Sequence, residues 1–377
     1  MNSANLKTYP SIILALLLAS LTACSKSPRY DGSGPTPPKK VVESWMEELE
    51  TPGLQFAVLR VGKEPIIEAH GYVDIDRTAG LTRSHCFRIG SASKLFVGHL
   101  ALVMAETAEL NLADAIDTSW RTMPDAKPIV IEHLGRHTSG LPDPIRNLDF
   151  RKAILADPGK HWLAPDIISF ISEQETHFDP GDRFRYSNTN TVLLGEAIAT
   201  ALDLPLETAL KNRLFDPWQL EATSFDRGGP PAKDLAKGYR HAKADDPIGY
   251  GRIFTEVTQF NSSFFGCAGN LISNADDLAK ALPYLLDVSE NRSPLIAADF
   301  VSPGKEKNYG FCLQSWDGFV GHRGDVPGYQ AVMAVDLKSG NGYIVLCNLS
   351  NTSSGKMPAD EILVKLRAWV DSADRAE

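Results

Sequence analysis

The spacing of apolar residues along the chain changes twice, from mixed helix and strand patterns to helical ones and back. Val41, Val42, Trp45, Met46 and Leu49 recur every three or four residues among acidic ones, which predicts an amphipathic helix over 41–49. Two strand-like runs follow, 54–61 and 65–73, and the intervening Gly62-Lys63-Glu64 reads as a hairpin turn. Residues 87–89 predict a third, short strand. From Ala92 to about Leu286 helical spacing dominates, in 92–109, 128–135, 165–175, 189–202, 205–214 and 275–286, with loops rich in Pro, Gly and Asp between them. After Pro303 strand patterns return in 309–316, 318–322, 329–335 and 343–348, and 359–370 is again amphipathic and helical.

Strands at both ends of a helical middle imply an α+β fold. One antiparallel sheet is built from the N- and C-terminal segments and flanked by helices, with a large all-helical region inserted between its two parts. Residues 41–95 and 300–377 form the sheet-containing part of this expected domain, and 96–299 the helical part. No internal repeat is visible.

What precedes residue 41 has a different character. Lys7 is followed by an apolar run, Ile12 to Leu21, and then by Leu21-Thr22-Ala23-Cys24. About ten apolar residues are too few for a lasting membrane span, so 1–23 reads as an export signal. Its ending resembles the lipobox of bacterial lipoproteins. That resemblance implies a signal peptide cut before Cys24, lipidation (palmitate) of Cys24, and an outer-membrane anchor facing the periplasm, Ser25 permitting that sorting. Residues 24–40 hold little that could bury a core and read as a flexible tether.

The 377 residues carry a formal net charge of −9, which loss of Lys7 with the signal makes one more negative. With no basic run beyond Lys39-Lys40, nucleic acid is excluded as an expected partner. Besides Cys24 the chain has Cys86, Cys267, Cys312 and Cys347, none in a Cys-x-x-Cys pair. A bridge between Cys312 and Cys347, or four buried thiols, both fit this spacing.

The candidate chemistry starts at Phe87-Arg88-Ile89-Gly90-Ser91-Ala92-Ser93-Lys94. Ser91 falls at the first turn of a predicted helix, and Lys94, three residues on, shares its face. A neutral lysine there can accept the serine proton and make Ser91 a nucleophile. The plainer reading of Ser91 is a helix cap. Ser-x-x-Lys recurs at Ser302 and Ser353, but there the intervening Pro-Gly and Ser-Gly favour turns. A second candidate is Tyr186-Ser187-Asn188, at a loop-to-helix junction. A third is Gly321-His322-Arg323-Gly324, where glycines on a strand mark close approach of a ligand or another backbone. Glu132-His133 with His137 has two histidines at i and i+4, the spacing of a helical metal site, but lacks the companion glutamate of the zinc-protease signature.

The order Ser-x-x-Lys, Tyr-x-Asn, His-x-Gly resembles the serine penicillin-recognising enzymes: class C beta-lactamases, D-alanyl-D-alanine carboxypeptidases, D-aminopeptidases and esterases. Supporting context runs from about Leu54 to Asn348 and includes His137-Thr138-Ser139-Gly140-Leu141 and Gly266-Cys267-Ala268-Gly269-Asn270-Leu271. The resemblance implies a hydrolase that forms an acyl-enzyme on Ser91 from an amide or ester carbonyl. Lys94 and Tyr186 would share the proton work, either of them serving as base. Asn188, His322, Arg323 and Gly324 would bind substrate, and the backbone N–H groups of Ser91 and Asp325 would form the oxyanion hole. No cofactor and no metal are implied.

His322 stands where class C beta-lactamases have lysine, and Arg323 where a hydroxyl residue is common. Both changes point away from strong beta-lactamase activity, and His322 matches the carboxypeptidase and esterase branches. The Arg323 guanidinium is able either to clamp a carboxylate or to turn from the cleft. The competing expectation is a catalytically silent lipoprotein on the same fold that binds a cell-wall peptide or a partner.

Overall fold

Apolar side chains alternate along the long strands between two buried faces, and this places the sheet in the middle of the molecule. The computed structural model describes residues 36–122, 127–227, 234–288, 293–297 and 309–375. Its strands are β1 (Gly53–Leu59), β2 (Ile66–Gly71), β3 (Phe87–Arg88), β4 (Ser224–Phe225), β5 (Tyr239–Ala242), β6 (Ile253–Glu256), β7 (Leu271–Ser273), β8 (Gln314–Trp316), β9 (Phe319–Val326), β10 (Tyr329–Asp336) and β11 (Gly342–Cys347). Six of them form one antiparallel sheet in the order β2-β1-β11-β10-β9-β8. The two ends of the chain meet where β1 pairs with β11, Leu54 opposite Cys347 and Leu59 opposite Gly342.

The helices are α1 (Lys39–Glu48), α2 (Ser93–Glu106), α3 (Ile131–Gly135), α4 (Leu148–Ala156), α5 (Ala164–Ser169), α6 (Asn188–Leu202), α7 (Leu206–Leu210), α8 (Ala275–Leu286), α9 (Pro294–Ala297) and α10 (Pro358–Asp374). On one face of the sheet, Phe56, Val58, Val332, Val345 and Cys347 pack with Val42 and Met46 of α1 and Ile362, Leu363 and Leu366 of α10. The residues between them, Ala57, Leu59, Ala331, Met333, Ile344 and Leu346, turn the other way onto α2 and α8. This period of two is what an antiparallel sheet covered on both faces requires.

Helix α2 is apolar all round, and Leu95, Phe96, Val97, Leu100 and Met104 are fully buried, as befits a central helix. Each such side chain contributes about 1.5–3 kcal/mol by leaving water. Its rigidity fixes whatever projects from its first turn.

The middle of the chain is mainly helical and also carries four short strands, β4 to β7, where helical spacing suggested none. Strand β7 matters most, because it pairs with β3 and with β4 in a separate small sheet. At three residues it is too short for a period of two to show. The strand expected over 309–316 begins only at Gln314, and the one expected over 318–322 runs on to Val326. The export signal, Cys24, most of the 24–40 tether and Ser302–Lys305 lie outside the described residues. Among the described residues no helix is long and apolar enough to cross a membrane.

Candidate active site

Strand β3 brings the chain to the site. Phe87 lies opposite Ser273 and Arg88 opposite Ile272, and the Ile89 N–H donates to the Leu271 carbonyl at 2.9 Å. The chain then turns at Gly90, whose φ of +53° lies in the left-handed region, into a 3₁₀ turn over Gly90–Ala92 that runs on into α2. A Cβ on Gly90 would come 2.9 Å from the Asp325 backbone nitrogen. From the facing strand, a Cβ on Gly324 would fall 1.9 Å from the Ile89 carbonyl oxygen. The glycine of β9 thus admits the backbone beside Ser91, and the Asp325 amide sits against the turn that carries it.

Lys94, on the first turn of α2, has no solvent exposure. Its Nζ lies 3.0 Å from Ser91 Oγ, 2.9 Å from Asn188 Oδ1 and 2.8 Å from the Ala268 carbonyl oxygen. Burial pulls its pKa down from the usual lysine range to about 7, against the opposing influence of Cys312, Asp143 and Cys267. A neutral amine has two hydrogens and one lone pair. The two carbonyl oxygens can only accept, so they take both hydrogens and leave the lone pair aimed at the Ser91 hydroxyl.

Tyr186 closes the constellation from ahead of α6. Its hydroxyl donates to Ser91 Oγ at 2.9 Å. Lys94 Nζ stands over its ring, 4.9 Å from the centroid. Burial pushes the phenol well above the usual tyrosine range, so the proton stays on its oxygen at neutral pH. Asn188, the first residue of α6, presents its oxygen to Lys94 because its Nδ2 is held by both carboxylate oxygens of Asp143, at 3.3 and 3.2 Å.

Strand β9 forms the opposite wall, and alternation sorts its residues. His322 faces inward and is fully buried. Its Nδ1 lies 2.6 Å from the Arg323 carbonyl oxygen and its Nε2 3.1 Å from the Tyr309 hydroxyl. With both ring nitrogens engaged inside the protein, His322 does not present one to a substrate, which corrects its expected binding role. Arg323 points the other way: its Nε donates to Asp360 at 3.0 Å and its guanidinium lies 4.2 Å from the Trp316 ring centroid. The expected substrate contact is therefore corrected as well, because successive strand side chains cannot share a face. Asp325 is within β9, where the strand was expected to have ended. Its carboxylate accepts from the Tyr250 hydroxyl, and burial raises its pKa to about 6.

Ser91, Lys94, Tyr186, Asn188, Gly324 and the Asp325 amide are thus drawn together from β3 and α2, α6, and β9. Ser353 lies in a turn away from helical structure. His133 Nδ1 accepts its own Val130 N–H, whereas His137 is buried under Tyr186, so the two histidines do not converge. Cys86, Cys267, Cys312 and Cys347 are buried free thiols, with Cys312 and Cys347 in the cores on opposite sides of the sheet. Sequence reasoning missed Asp143, Ala268 and Tyr309. Tyr309 belongs to no motif and left no signal; Ala268, which acts through its backbone, lies inside the noted Gly266–Leu271 run, and Asp143 follows the noted His137–Leu141 run by two residues.

A family model described as Beta-lactamase matches residues 39–366. "Protein flp" of Staphylococcus aureus is 24% identical over 328 residues, covering 83% of this chain and 62% of that protein. The chain therefore spans less than two thirds of the length of such curated relatives. A "Beta-lactamase" of Escherichia coli is 28% identical over 208 residues, 54% of this chain and 52% of that one. Among solved structures, the D-amino acid amidase of Ochrobactrum anthropi in complex with L-phenylalanine amide superimposes with a TM-score of 0.69 at 25% identity, covering 82% of this chain and 90% of that one.

Proposed function

Since the chain belongs to the beta-lactamase family, we propose that it is a serine hydrolase that cleaves an amide or ester carbonyl through an acyl-enzyme on Ser91, of the D-alanyl peptidase or esterase type. The observation that carries this reading is the commitment of both hydrogens of a neutral Lys94 to Asn188 Oδ1 and the Ala268 carbonyl oxygen, which leaves its lone pair for Ser91.

The proton inventory follows. Lys94 takes the Ser91 proton as Oγ attacks the carbonyl carbon, and the amides of Ser91 and Asp325 receive the charge that develops on the carbonyl oxygen. Tyr186, bonded to the same Oγ, gives its proton to the departing nitrogen or oxygen, and the tyrosinate so formed is stabilised by the adjacent ammonium. In deacylation water returns a proton to Tyr186 and attacks the ester; Ser91 leaves and recovers its proton from Lys94. Each group ends as it began. With Arg323 turned onto Asp360, and His322 neutral and buried, no cation on β9 is aimed at a substrate carboxylate. Strong beta-lactamase turnover is therefore not part of the reading.

The leader and Cys24 support an exported protein held by lipid on the periplasmic side of the outer membrane, within reach of cell-wall peptides. Purified protein assayed on p-nitrophenyl esters, D-alanyl peptides and nitrocefin, beside Ser91→Ala, tests the chemistry. Turnover of an ester or peptide that disappears in the variant is expected; turnover that persists unchanged excludes Ser91 as nucleophile. For the anchor, a Cys24→Ser variant that still fractionates with membranes excludes lipidation there.

A further inference from the structure

Beneath Tyr186 runs a row of hydrogen bonds that the proton transfers above do not use. His137 Nε2 lies 3.1 Å from the Tyr309 hydroxyl, and the same hydroxyl lies 3.1 Å from His322 Nε2. All three side chains are buried. The ends of the row fix its direction. His322 Nδ1 meets the Arg323 carbonyl oxygen at 2.6 Å; a carbonyl only accepts, so that nitrogen carries the hydrogen and Nε2 of the neutral ring is an acceptor. At the other end His137 Nδ1 accepts the Ser187 backbone N–H at 3.3 Å, with Asn190 Nδ2 also at 3.0 Å, so its hydrogen is on Nε2. Tyr309 must then accept from His137 and donate to His322. The two histidines are neutral and of opposite tautomer, joined by one hydroxyl.

The Tyr186 ring lies on this row. It stacks on His137 with centroids 4.4 Å apart and planes 29° apart, and meets Tyr309 edge-on at 5.9 Å. Protonating His322 would require Tyr309 to take hydrogens from both imidazoles and to turn its own elsewhere. The groups facing His322 are Lys94 on α2, Tyr186 ahead of α6, His137 after α3 and Tyr309 ahead of β8, while Arg323 on its own strand acts on it electrostatically from the other face of β9. Among them Lys94 and Arg323 are the cations, so a third positive charge here would oppose the ammonium that Lys94 must become.

We propose that Tyr309 is a positioning residue, whose hydroxyl locks His137 and His322 into one directed chain that holds the Tyr186 phenol over Ser91. The proposal rests on the hydrolase reading for its kinetic consequence, but the hydrogen-bond chain itself does not.

The test is nitrogen-15 NMR of the imidazoles in the full mature protein, alongside kinetics of Tyr309→Phe. In the wild type His322 is expected to be the Nδ1–H tautomer and His137 the Nε2–H tautomer, neither titrating between about pH 5 and 8. In Tyr309→Phe, His322 should stay neutral, since burial holds its pKa down, and its Nε2 resonance should shift as the hydroxyl's hydrogen bond is lost. Its kcat should fall about 10–100-fold, with KM within about twofold, as expected for misplacing a proton donor and not for weakening binding. His137→Gln, which keeps a donor towards Tyr309, should retain more activity than His137→Leu. A wild-type His322 with hydrogen on Nε2, or one that titrates near neutrality, overturns the chain; an unchanged kcat in Tyr309→Phe overturns the positioning role. Should the wild type turn over no ester, peptide or lactam, the hydrolase reading fails separately, and the spectra still decide the chain.

Discussion

Lys94 Nζ stands 3.0 Å from Ser91 Oγ, and of its three hydrogen-bond partners only Ser91 has a proton to give. The lysine is itself fully buried on the first turn of a largely buried helix, so the amine cannot swing towards water to keep its charge. Burial also lowers its pKa to about 7, which leaves a large neutral fraction at physiological pH.

Acylation should accordingly rise with pH through about 7 and fall roughly tenfold per unit below it, since the base must be unprotonated. Pre-steady-state acylation rates across pH measure this. Lys94→Arg, whose guanidinium stays charged, should lose about 10³-fold. A limb near pH 4, or none, would remove Lys94 from the role.

The same burial implies a cost in stability. In the unfolded chain Lys94 is protonated up to its ordinary pKa of 10.5, while in the folded protein it releases its proton from about 7 upward. Between these values the unfolded state binds more protons, so this residue's contribution rises with pH, and the penalty is fullest below 7. Lys94→Met should therefore stabilise the protein more at pH 6.5 than at pH 9.5, by on the order of 2–3 kcal/mol. Denaturant unfolding of both proteins at the two pH values reads the difference; equal gains would show that the amine keeps its proton in the folded state.

Gly324→Ala should be disabling without touching a reactive group. Its Cβ would fall 1.9 Å from the Ile89 carbonyl oxygen, backbone against backbone, so β9 and the Ser91 turn must separate. A displacement of about 1 Å is enough to cost about 100-fold in rate. Activity per folded molecule, titrated with a covalent acylating probe, separates this from loss of fold.

Arg323→Gln should leave kcat and KM within about twofold, including for substrates that carry a carboxylate. Its partners are Asp360 and Trp316 on the side of β9 away from Ser91, and the half-exposed ion pair contributes less than about 1 kcal/mol. A large rise in KM for carboxylate substrates alone would place the guanidinium in the cleft after all.

Asp143→Ala should lower kcat about 10–100-fold. Without the carboxylate the Asn188 amide loses the partner of its Nδ2 and is free to rotate, taking Oδ1 from Lys94. The loss should be smaller at low pH, because the Asp143 carboxylate holds the Lys94 pKa up and its removal moves the acid limb to lower pH. Parallel pH profiles of variant and wild type would count against this coupling.

Periodicity and local chemistry by themselves determined much of this protein. The return of strand spacing after a helical middle was enough for a sheet made from both termini, and the helix expected over 275–286 begins and ends where it was expected. Ser91, Lys94, Tyr186, Asn188 and Gly324 were legible because turn-to-helix junctions and strand glycines leave local marks and because the order of their three motifs resembles that of a known family. The short strands β4 to β7 left none, since two to four residues hold too little of a period to be told from a loop. Only the tertiary structure decided which way each β9 side chain faces. Register depends on the partner strand, and it sent Arg323 to Asp360 and turned His322 inward onto Tyr309. The same holds for Asp143, Tyr309 and the Ala268 carbonyl: a hydrogen bond between groups far apart in sequence is set by how helices and sheet pack, and no stretch of either partner encodes it alone.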